Sequence, residues 1–343
     1  MARGLRNDYQ IWTLAKDLGL SAKTDPLAEI VEFCIQQMRS LLKEFPCDSL
    51  SQLLEIAATK FETGFKEVHS DEELRKLRDE FLARGEKEFA LLETELGPEV
   101  FAITFRLLRP KPGEREFISI IDCRGNKKYR SYYSKWHELA HLFTLTDQMR
   151  FKFCRTHSSW NKKDPEEALM EVIAGQVGFL ADIVKRHAKG RISFDKIADL
   201  RSKLCPEASA QASTIGFANN WPTPCVLLDA SLEYKKSDRD KLNQQNFDFI
   251  SPPVPELRIA HVNSSPSASD FARILHPNIR IPQSSIIYKT FMEEVSSVVE
   301  ARESLGTWET KKGGYLPARW YIVSARKQVD SVQALLTPTS LDH

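Results

Sequence analysis

The chain has 343 residues, and its 48 lysine and arginine residues almost balance 47 aspartate and glutamate residues, for a formal net charge of +1. This balance excludes a general attraction to nucleic acids or anionic membranes, so any basic surface must be local. The 42% hydrophobic and 28% charged fractions are typical of folded globular proteins. Because the length exceeds what one core normally supports, we expect more than one domain.

Membrane insertion and export are not indicated by the sequence. No apolar stretch is long enough to span a bilayer, and the first residues lack the apolar core of a secretion signal. The six cysteines are scattered without a C-x-x-C pair, which favours reduced thiols over a disulfide framework. These features predict a cytoplasmic protein without membrane contact.

The N-terminal part of the chain is predicted to be helical. The spacing of apolar residues indicates one amphipathic helix over residues 25–45, which Asp25 can cap, and a shorter helix near 50–61. Ser70 and Glu73 have the spacing of a capping box and predict a third helix of about seven turns. We interpret these segments as structural.

The hydrophobic period then changes. Two β-rich runs, 101–107 and 117–122, flank a turn rich in proline and glycine and predict an antiparallel hairpin. Helical spacing resumes over residues 134–145. An Asp-Pro pair at 164–165 begins another helix, which we expect to continue to about Lys189.

The C-terminal part is predicted to be rich in β-structure. Gly190 is expected to end the preceding helix, two short helices follow over 193–204 and 207–217, and the W-P-T-P sequence at 221–224 marks a domain boundary. Beyond it, a helix is predicted over residues 291–302. The predicted strands cover residues 225–228, 257–262, 279–281, 286–288, 320–325 and 332–336.

The motif H-E-L-A-H occupies residues 137–141 within the predicted helix over 134–145. Positions four apart on a helix project from the same face, so His137 and His141 can ligate one small cation. Glu138 stands beside them, where its carboxylate can take a proton from a metal-bound water. The motif therefore predicts a catalytic Zn²⁺ site with two histidine ligands and a glutamate base.

A catalytic zinc needs a third protein ligand from another segment. Glu171 is the preferred candidate, because antiparallel packing of its helix on the motif helix would bring it beside the metal. Glu167 is an alternative one turn earlier on the same face, since the sequence does not fix the register. Asp147 lies at the offset used by extended motifs, but Thr144 stands where those motifs need glycine.

Two further kinds of functional residue are predicted near the motif. His157, in a polar loop, and Tyr133, just before the motif, are candidate donors to an oxyanion, together with Tyr132. The basic stretch at 124–135 interleaves cations with tyrosines and could hold an acidic peptide or a nucleic-acid backbone. A solvated loop is the simpler interpretation, and the near-neutral charge argues against direct nucleic-acid binding.

These motifs resemble those of a known family. The sequence W-H-E-L-A-H-L at 136–142, followed by E-V-I-A at 171–174 and an apolar helical continuation, is similar to the ImmA/IrrE family of metallopeptidases. Residues 192–226 also resemble the helix pair and strand that follow this domain in the family. The likeness covers residues 50–230, and Gly175 replaces the usual asparagine of the second motif.

The elements and the resemblance together imply an α+β fold. They imply a zincin-like metallopeptidase core and a C-terminal α/β domain similar to GAF or PAS sensors, which would receive a small-molecule signal. The expected domains are an N-terminal helical segment at 1–48, the metallopeptidase domain at 49–190, a helical connector at 191–221 and the sensor-like domain at 222–343.

The resemblance also implies a function. By this resemblance, zinc would be held by His137, His141 and Glu171, and Glu138 would be the general base. The substrate would be a helix-turn-helix transcriptional repressor that is cleaved in a stress or mobile-element response. A ligand-sensing or protein-binding module with a structural or degenerate metal site stays open as an alternative. So do a DNA-binding regulator and a zinc hydrolase acting on another bond, because the motif does not name the bond cleaved.

Overall fold

The computed structural model describes residues 5–146, 155–159, 164–243, 253–293, 297–310 and 313–339. They form a mixed α+β fold with two small sheets, which confirms the predicted class. The chain divides into two compact units, Met1–Ile183 with Leu200–Gly216, and Val184–Asp199 with Phe217–His343. Within the described ranges, no helix is both long enough and apolar enough to cross a bilayer.

Helices make up most of the first unit. In chain order they are α1 (Tyr9–Asp17), α2 (Pro26–Glu44), α3 (Leu50–Lys60), α4 (Asp71–Ala83), α5 (Leu92–Glu95), α6 (Ser131–Phe143) and α7 (Pro165–Val177). The predicted helices at 25–45 and 50–61 are confirmed as α2 and α3. Asp25 begins α2 as expected, since its carboxylate accepts a hydrogen bond from the Ala28 amide at 3.1 Å.

The first unit also contains a four-stranded sheet. Its strands are β1 (Thr63–Val68), β2 (Val100–Arg106), β3 (Phe117–Asp122) and β4 (Arg155–Ser159), in the order β1-β3-β2-β4. The predicted hairpin is confirmed, because β2 and β3 pair antiparallel. The strand β1 pairs parallel to β3, and β4 pairs antiparallel to β2. Neither β1 nor β4 was predicted from the sequence.

Two predicted helices are shorter than expected. The seven-turn helix is wrong, since α4 ends at Ala83 and Gly85 then adopts a positive φ of 88°. The buried carboxylate of Glu86 accepts hydrogen bonds from the amides of Leu108 and Arg109, which fixes the chain after this turn. A helix running from 165 to Lys189 is also wrong, because α7 ends at Val177 and a separate helix follows.

Three helices lie where the chain passes between the two units: α8 (Ala181–His187), α9 (Phe194–Leu204) and α10 (Ala210–Asn220). The last two confirm the predicted pair of short helices. Gly190, with a φ of 65°, lies between α8 and α9, although α8 already ends at His187. The residues predicted as one connector at 191–221 are therefore divided between the units, and the predicted N-terminal segment 1–48 lies in the first unit.

The second unit contains a five-stranded antiparallel sheet. Its elements are β5 (Val226–Glu233), α11 (Lys236–Asn243), β6 (Glu256–Ser264), α12 (Ser269–Ala272), α13 (Ile286–Met292), β7 (Val299–Ser304), β8 (Trp320–Lys327) and β9 (Ser331–Pro338). The strand order is β6-β5-β9-β8-β7. One face of this sheet contributes to a core that includes Trp308, Tyr321 and Ile287.

Two predictions in this unit have the wrong type of secondary structure. The run 286–288, predicted as a strand, begins α13. The helix predicted over 291–302 is wrong at its C-terminal end, where β7 covers Val299–Ser304. Local β-propensity favoured a strand at Ile286, but Ser285 begins a helix there by accepting a hydrogen bond from the Ile287 amide. The carboxylate of Glu303 accepts from the Ile286 amide and fixes this start.

Candidate metal centre

The helix α6 carries the predicted motif into the interior of the first unit. His137, Glu138 and His141 are all buried. The helix ends at Phe143, and the Thr144 hydroxyl donates to the carbonyls of Ala140 and His141 at 3.2 and 3.0 Å. This satisfies carbonyl groups that would otherwise lack partners at the helix end.

The helix α7 supplies the facing surface. Asp164 begins it by accepting a hydrogen bond from the Glu166 amide at 2.9 Å, and Pro165 occupies its first turn. At its other end, the Tyr132 hydroxyl donates to the Gly178 carbonyl at 2.6 Å. A Cβ atom at Gly178 would lie 2.9 Å from Trp136 Cδ1, so only glycine permits this close approach of the two segments.

Both motif imidazoles face one carboxylate from α7. His137 Nε2 lies 3.2 Å from Glu167 Oε2, and His141 Nε2 lies 3.4 Å from Glu167 Oε1. The donor atoms of these three residues all lie within 4.8 Å of one another. Glu166 lies behind this group, with its carboxylate 4.0 Å from His141 Nδ1, where an acidic group can orient a metal-binding imidazole.

The chemistry of the three donors fits a zinc ion. Two imidazoles and one carboxylate are a common protein ligand set for catalytic Zn²⁺. The His141 Nε2 atom is buried and has no partner of hydrogen-bond geometry within the described part of the chain, despite its nearness to Glu167. A cation between these donors would use that nitrogen lone pair, which the protein itself leaves poorly satisfied.

The charges of the group follow from burial and proximity. Burial lowers the pKa of His137, which favours the neutral imidazole that a metal requires. Burial acts in the same direction on His141, but the carboxylates of Glu167 and Glu138 outweigh it and raise its pKa. Burial alone would raise the pKa of Glu167, yet the two histidines lower it to about 2, so this carboxylate is ionised.

A chain of buried hydroxyl groups holds the Glu138 carboxylate from the sheet side. The Thr104 hydroxyl donates to Glu138 Oε2 at 2.6 Å and lies 2.6 Å from the Ser119 hydroxyl. Ser119 in turn lies 3.3 Å from the Thr63 hydroxyl. Thr104 and Ser119 are directly paired across β2 and β3, so strand register places both hydroxyls below the helix. Together they fix the orientation of the predicted base.

Sequence reasoning missed these hydroxyl residues. Thr104 and Ser119 are polar residues within runs of apolar strand residues, and both are completely buried. A polar residue at an inward position of a predicted strand was the available signal, because a buried hydroxyl needs a partner. Only the packing of α6 on the sheet identifies Glu138 as that partner.

The preferred third donor, Glu171, does not join the group of converging donors. It lies one turn beyond Glu167 on α7, and the Tyr133 hydroxyl donates to its backbone carbonyl at 2.6 Å. Its carboxylate interacts electrostatically with Arg130, whose guanidinium lies over the Phe101 ring. In the structure the carboxylate that faces both imidazoles is therefore that of Glu167, the predicted alternative, because the register of α7 on α6 places Glu167 rather than Glu171 opposite the motif.

The other predicted residues have different outcomes. Asp147 lies outside the described residues. His157 lies in β4 with its backbone opposite Ile103, but its side chain is also outside the described part. The hydroxyls of Tyr133 and Tyr132 both donate to backbone carbonyls, of Glu171 and Gly178, which gives each tyrosine a structural role. A role for Tyr133 or His157 in stabilising an oxyanion stays a prediction.

The basic stretch before α6 uses many of its cations inside the first unit. Arg124 and Lys127 both contact the carboxylate of Asp122, whose side chain is fully buried, at 2.8 and 2.7 Å. Lys127 also donates to the carbonyls of Gly97 and Val100. These contacts tie the loop to the sheet and favour the structural interpretation of the basic stretch.

Comparisons with models of known protein families and with curated proteins found no match to this chain.

Proposed function

We propose that this protein is a zinc-dependent endopeptidase. The observation that carries the proposal is the convergence of His137, His141 and Glu167 on one point, with Glu138 beside them on the same buried helix. A binding module with a degenerate site would not need an acidic group placed next to two metal-binding imidazoles.

Each residue has a defined role in this proposal. The residues that would hold Zn²⁺ are His137, His141 and Glu167. The ion when bound would supply Lewis acidity and would lower the pKa of water to about 7. Glu138 accepts a proton at its carboxylate and later gives it to the leaving amine. Thr104 orients that carboxylate through the 2.6 Å hydrogen bond. Burial of His137, Glu138 and His141 limits access of bulk water, which strengthens the electrostatic interactions.

The family resemblance suggests the substrate. We propose an ImmA/IrrE-like enzyme with a zincin-like core that cleaves a helix-turn-helix repressor under the control of a GAF- or PAS-like C-terminal domain. The support for a sensor-like C-terminal domain is its five-stranded antiparallel sheet. The first and last strands of this sheet in chain order, β5 and β9, pair with each other near its centre. A groove of about 540 Å³ in that unit, lined in part by Arg191, Arg302 and Thr337, is a place for a small ligand.

The test compares the wild-type chain with Glu138→Gln in digestions of candidate repressors. We expect Glu138→Gln to retain one zinc at the motif and to lose cleavage by at least about 100-fold, because general-base catalysis contributes about 10²–10⁴-fold. Metal content is measured by elemental analysis and cleavage by mass spectrometry of the fragments. Undiminished cleavage by the variant would exclude Glu138 as the base, and a wild-type chain that takes up no zinc would exclude the proposal.

A further inference from the structure

A second set of side chains with potential metal-donor atoms lies at the carboxyl ends of two parallel strands, beside Ser131 and Lys135 of α6. Glu67 and His69 lie at the end of β1, and Cys123 follows β3. The Cys123 amide donates to the Val68 carbonyl at 2.8 Å, which aligns the two chain segments. Parallel strands end at the same edge of a sheet, so this register brings the three side chains together.

The donor atoms converge as closely as those of the motif. One carboxylate oxygen, one imidazole nitrogen and the Cys123 sulfur all lie within 4.8 Å of one another. The Cys123 residue is only 3% exposed, whereas the His69 side chain is 56% exposed. The sulfur therefore forms the closed inner side of the group, and the imidazole forms the side that solvent and ions can reach.

The Glu67 carboxylate of this group already contacts a cationic side chain, that of Lys135. The Lys135 ammonium lies 2.7 Å from Glu67 Oε1, and the Ser131 hydroxyl donates to the same carboxylate. Burial alone would raise the pKa of Glu67, but these contacts hold it below its usual value. A carboxylate that is ionised and stabilises a cation at this place can also stabilise a divalent ion, with Lys135 released to solvent.

We propose that Glu67, His69 and Cys123 form a second divalent-cation site, of the class that combines thiolate, imidazole and carboxylate ligands, such as Zn²⁺ or Co²⁺. Sulfur and nitrogen donors select these ions over Mg²⁺ and Ca²⁺, which prefer oxygen ligands. The site does not depend on the proposed peptidase function, because it shares no ligand with the His137, His141 and Glu167 group.

Binding at this site requires a proton to leave. Burial and the Glu67 charge raise the pKa of the Cys123 thiol to about 11, so the sulfur carries its proton before a cation arrives. On binding, the S–H bond breaks, the proton passes to solvent and the sulfur lone pair forms the bond to the metal. No oxidant or reductant takes part, and the cation offsets the charges of both the thiolate and the carboxylate.

The experiment is a titration of the zinc-free full-length chain with Co²⁺, followed by absorption spectroscopy. A thiolate bound to Co²⁺ gives a near-ultraviolet charge-transfer band, which the His137, His141 and Glu167 group lacks because it contains no sulfur. We expect the band in the wild-type chain and its loss in Cys123→Ser, with cobalt uptake reduced by one ion per chain. A wild-type chain that binds cobalt without this band would overturn the proposal.

Control variants separate this site from the other thiols and from misfolding. Cys47→Ser and Cys154→Ser should keep the band, and its loss in either one with retention in Cys123→Ser would contradict our assignment. His69→Ala changes an exposed side chain and should weaken cobalt binding at this site by at least about 10-fold without unfolding the chain. Unchanged binding in that variant would remove His69 from the site.

One further variant tests the two proposed sites separately. Glu167→Gln should weaken cobalt binding at the motif by more than about 100-fold while leaving the charge-transfer band intact. Loss of cleavage with retention of the band in this variant would support both sites, whereas absence of the band in every chain that still cleaves would overturn only the second site.

Discussion

At the scale of single residues, the choice between Glu167 and Glu171 decides how the proposed zinc ion would be held. Glu167→Gln removes the carboxylate that both imidazoles face. We expect it to weaken zinc binding by more than about 100-fold, since loss of outer-shell partners alone costs about 10–100-fold. Glu171→Gln is the matched control and should change zinc affinity little. Competition with a zinc-binding dye measures both, and the reverse order would restore Glu171 as the third ligand.

The hydroxyl of Thr104 gives a second prediction at this scale. Thr104→Val keeps the shape of the side chain but leaves the buried Glu138 carboxylate without its 2.6 Å donor. We expect a loss of about 1–3 kcal/mol in the free energy of unfolding, with slower cleavage and unchanged zinc content. Thr104→Ser retains the hydroxyl and should recover most of the cleavage rate. Equal rates in the two variants would show that the hydrogen bond does not position the base.

At the scale of elements, the contact of α6 with the end of α7 sets the register of the two helices at the proposed metal centre. A Cβ at Gly178 would lie 2.7 Å from the Ala174 carbonyl oxygen and 2.9 Å from Trp136 Cδ1. Gly178→Ala should therefore lower the free energy of unfolding by about 1–3 kcal/mol and weaken zinc binding. Gly175 lies within α7, where an added Cβ would meet nothing within 4 Å, so Gly175→Ala should instead stabilise the chain by up to about 1 kcal/mol.

Denaturant titration with and without zinc measures both glycine variants. Equal stability of the two would contradict the close packing of Gly178. A zinc affinity unchanged in Gly178→Ala would show that the register of the two helices tolerates the displacement.

At the scale of the whole molecule, the three proposed zinc ligands all lie in the first of the two compact units. Zinc at about 1,000 times its dissociation constant should stabilise the folded state by about 4 kcal/mol. We expect hydrogen exchange of the amides in α6 and α7 to slow on zinc addition and to recover after chelation. The strands β5 and β9 serve as an internal comparison. Exchange in α6 and α7 that is insensitive to zinc would argue against a site between them.

The sequence was sufficient for features that local spacing controls. The caps Asp25 and Asp164 and the apolar spacing located their helices, and the hairpin of β2 and β3 followed from alternation. Long-range pairing was not accessible in this way. The strand β1 pairs with β3 although α4, α5 and β2 lie between them in the chain. Only two of the six residues of β1, Thr63 and Val68, are buried, so its local pattern is weak.

The candidate site shows the same division between local features, which the sequence predicts, and long-range contacts, which it does not. The sequence by itself determined that His137 and His141 share one face of a helix with Glu138 next to them, because that geometry is a property of the helix alone. Only the tertiary structure decided which carboxylate they meet and which hydroxyls hold the proposed base. Those choices depend on the register of α7 on α6 and of β2 on β3, which side-chain packing between distant segments fixes and local periodicity does not contain.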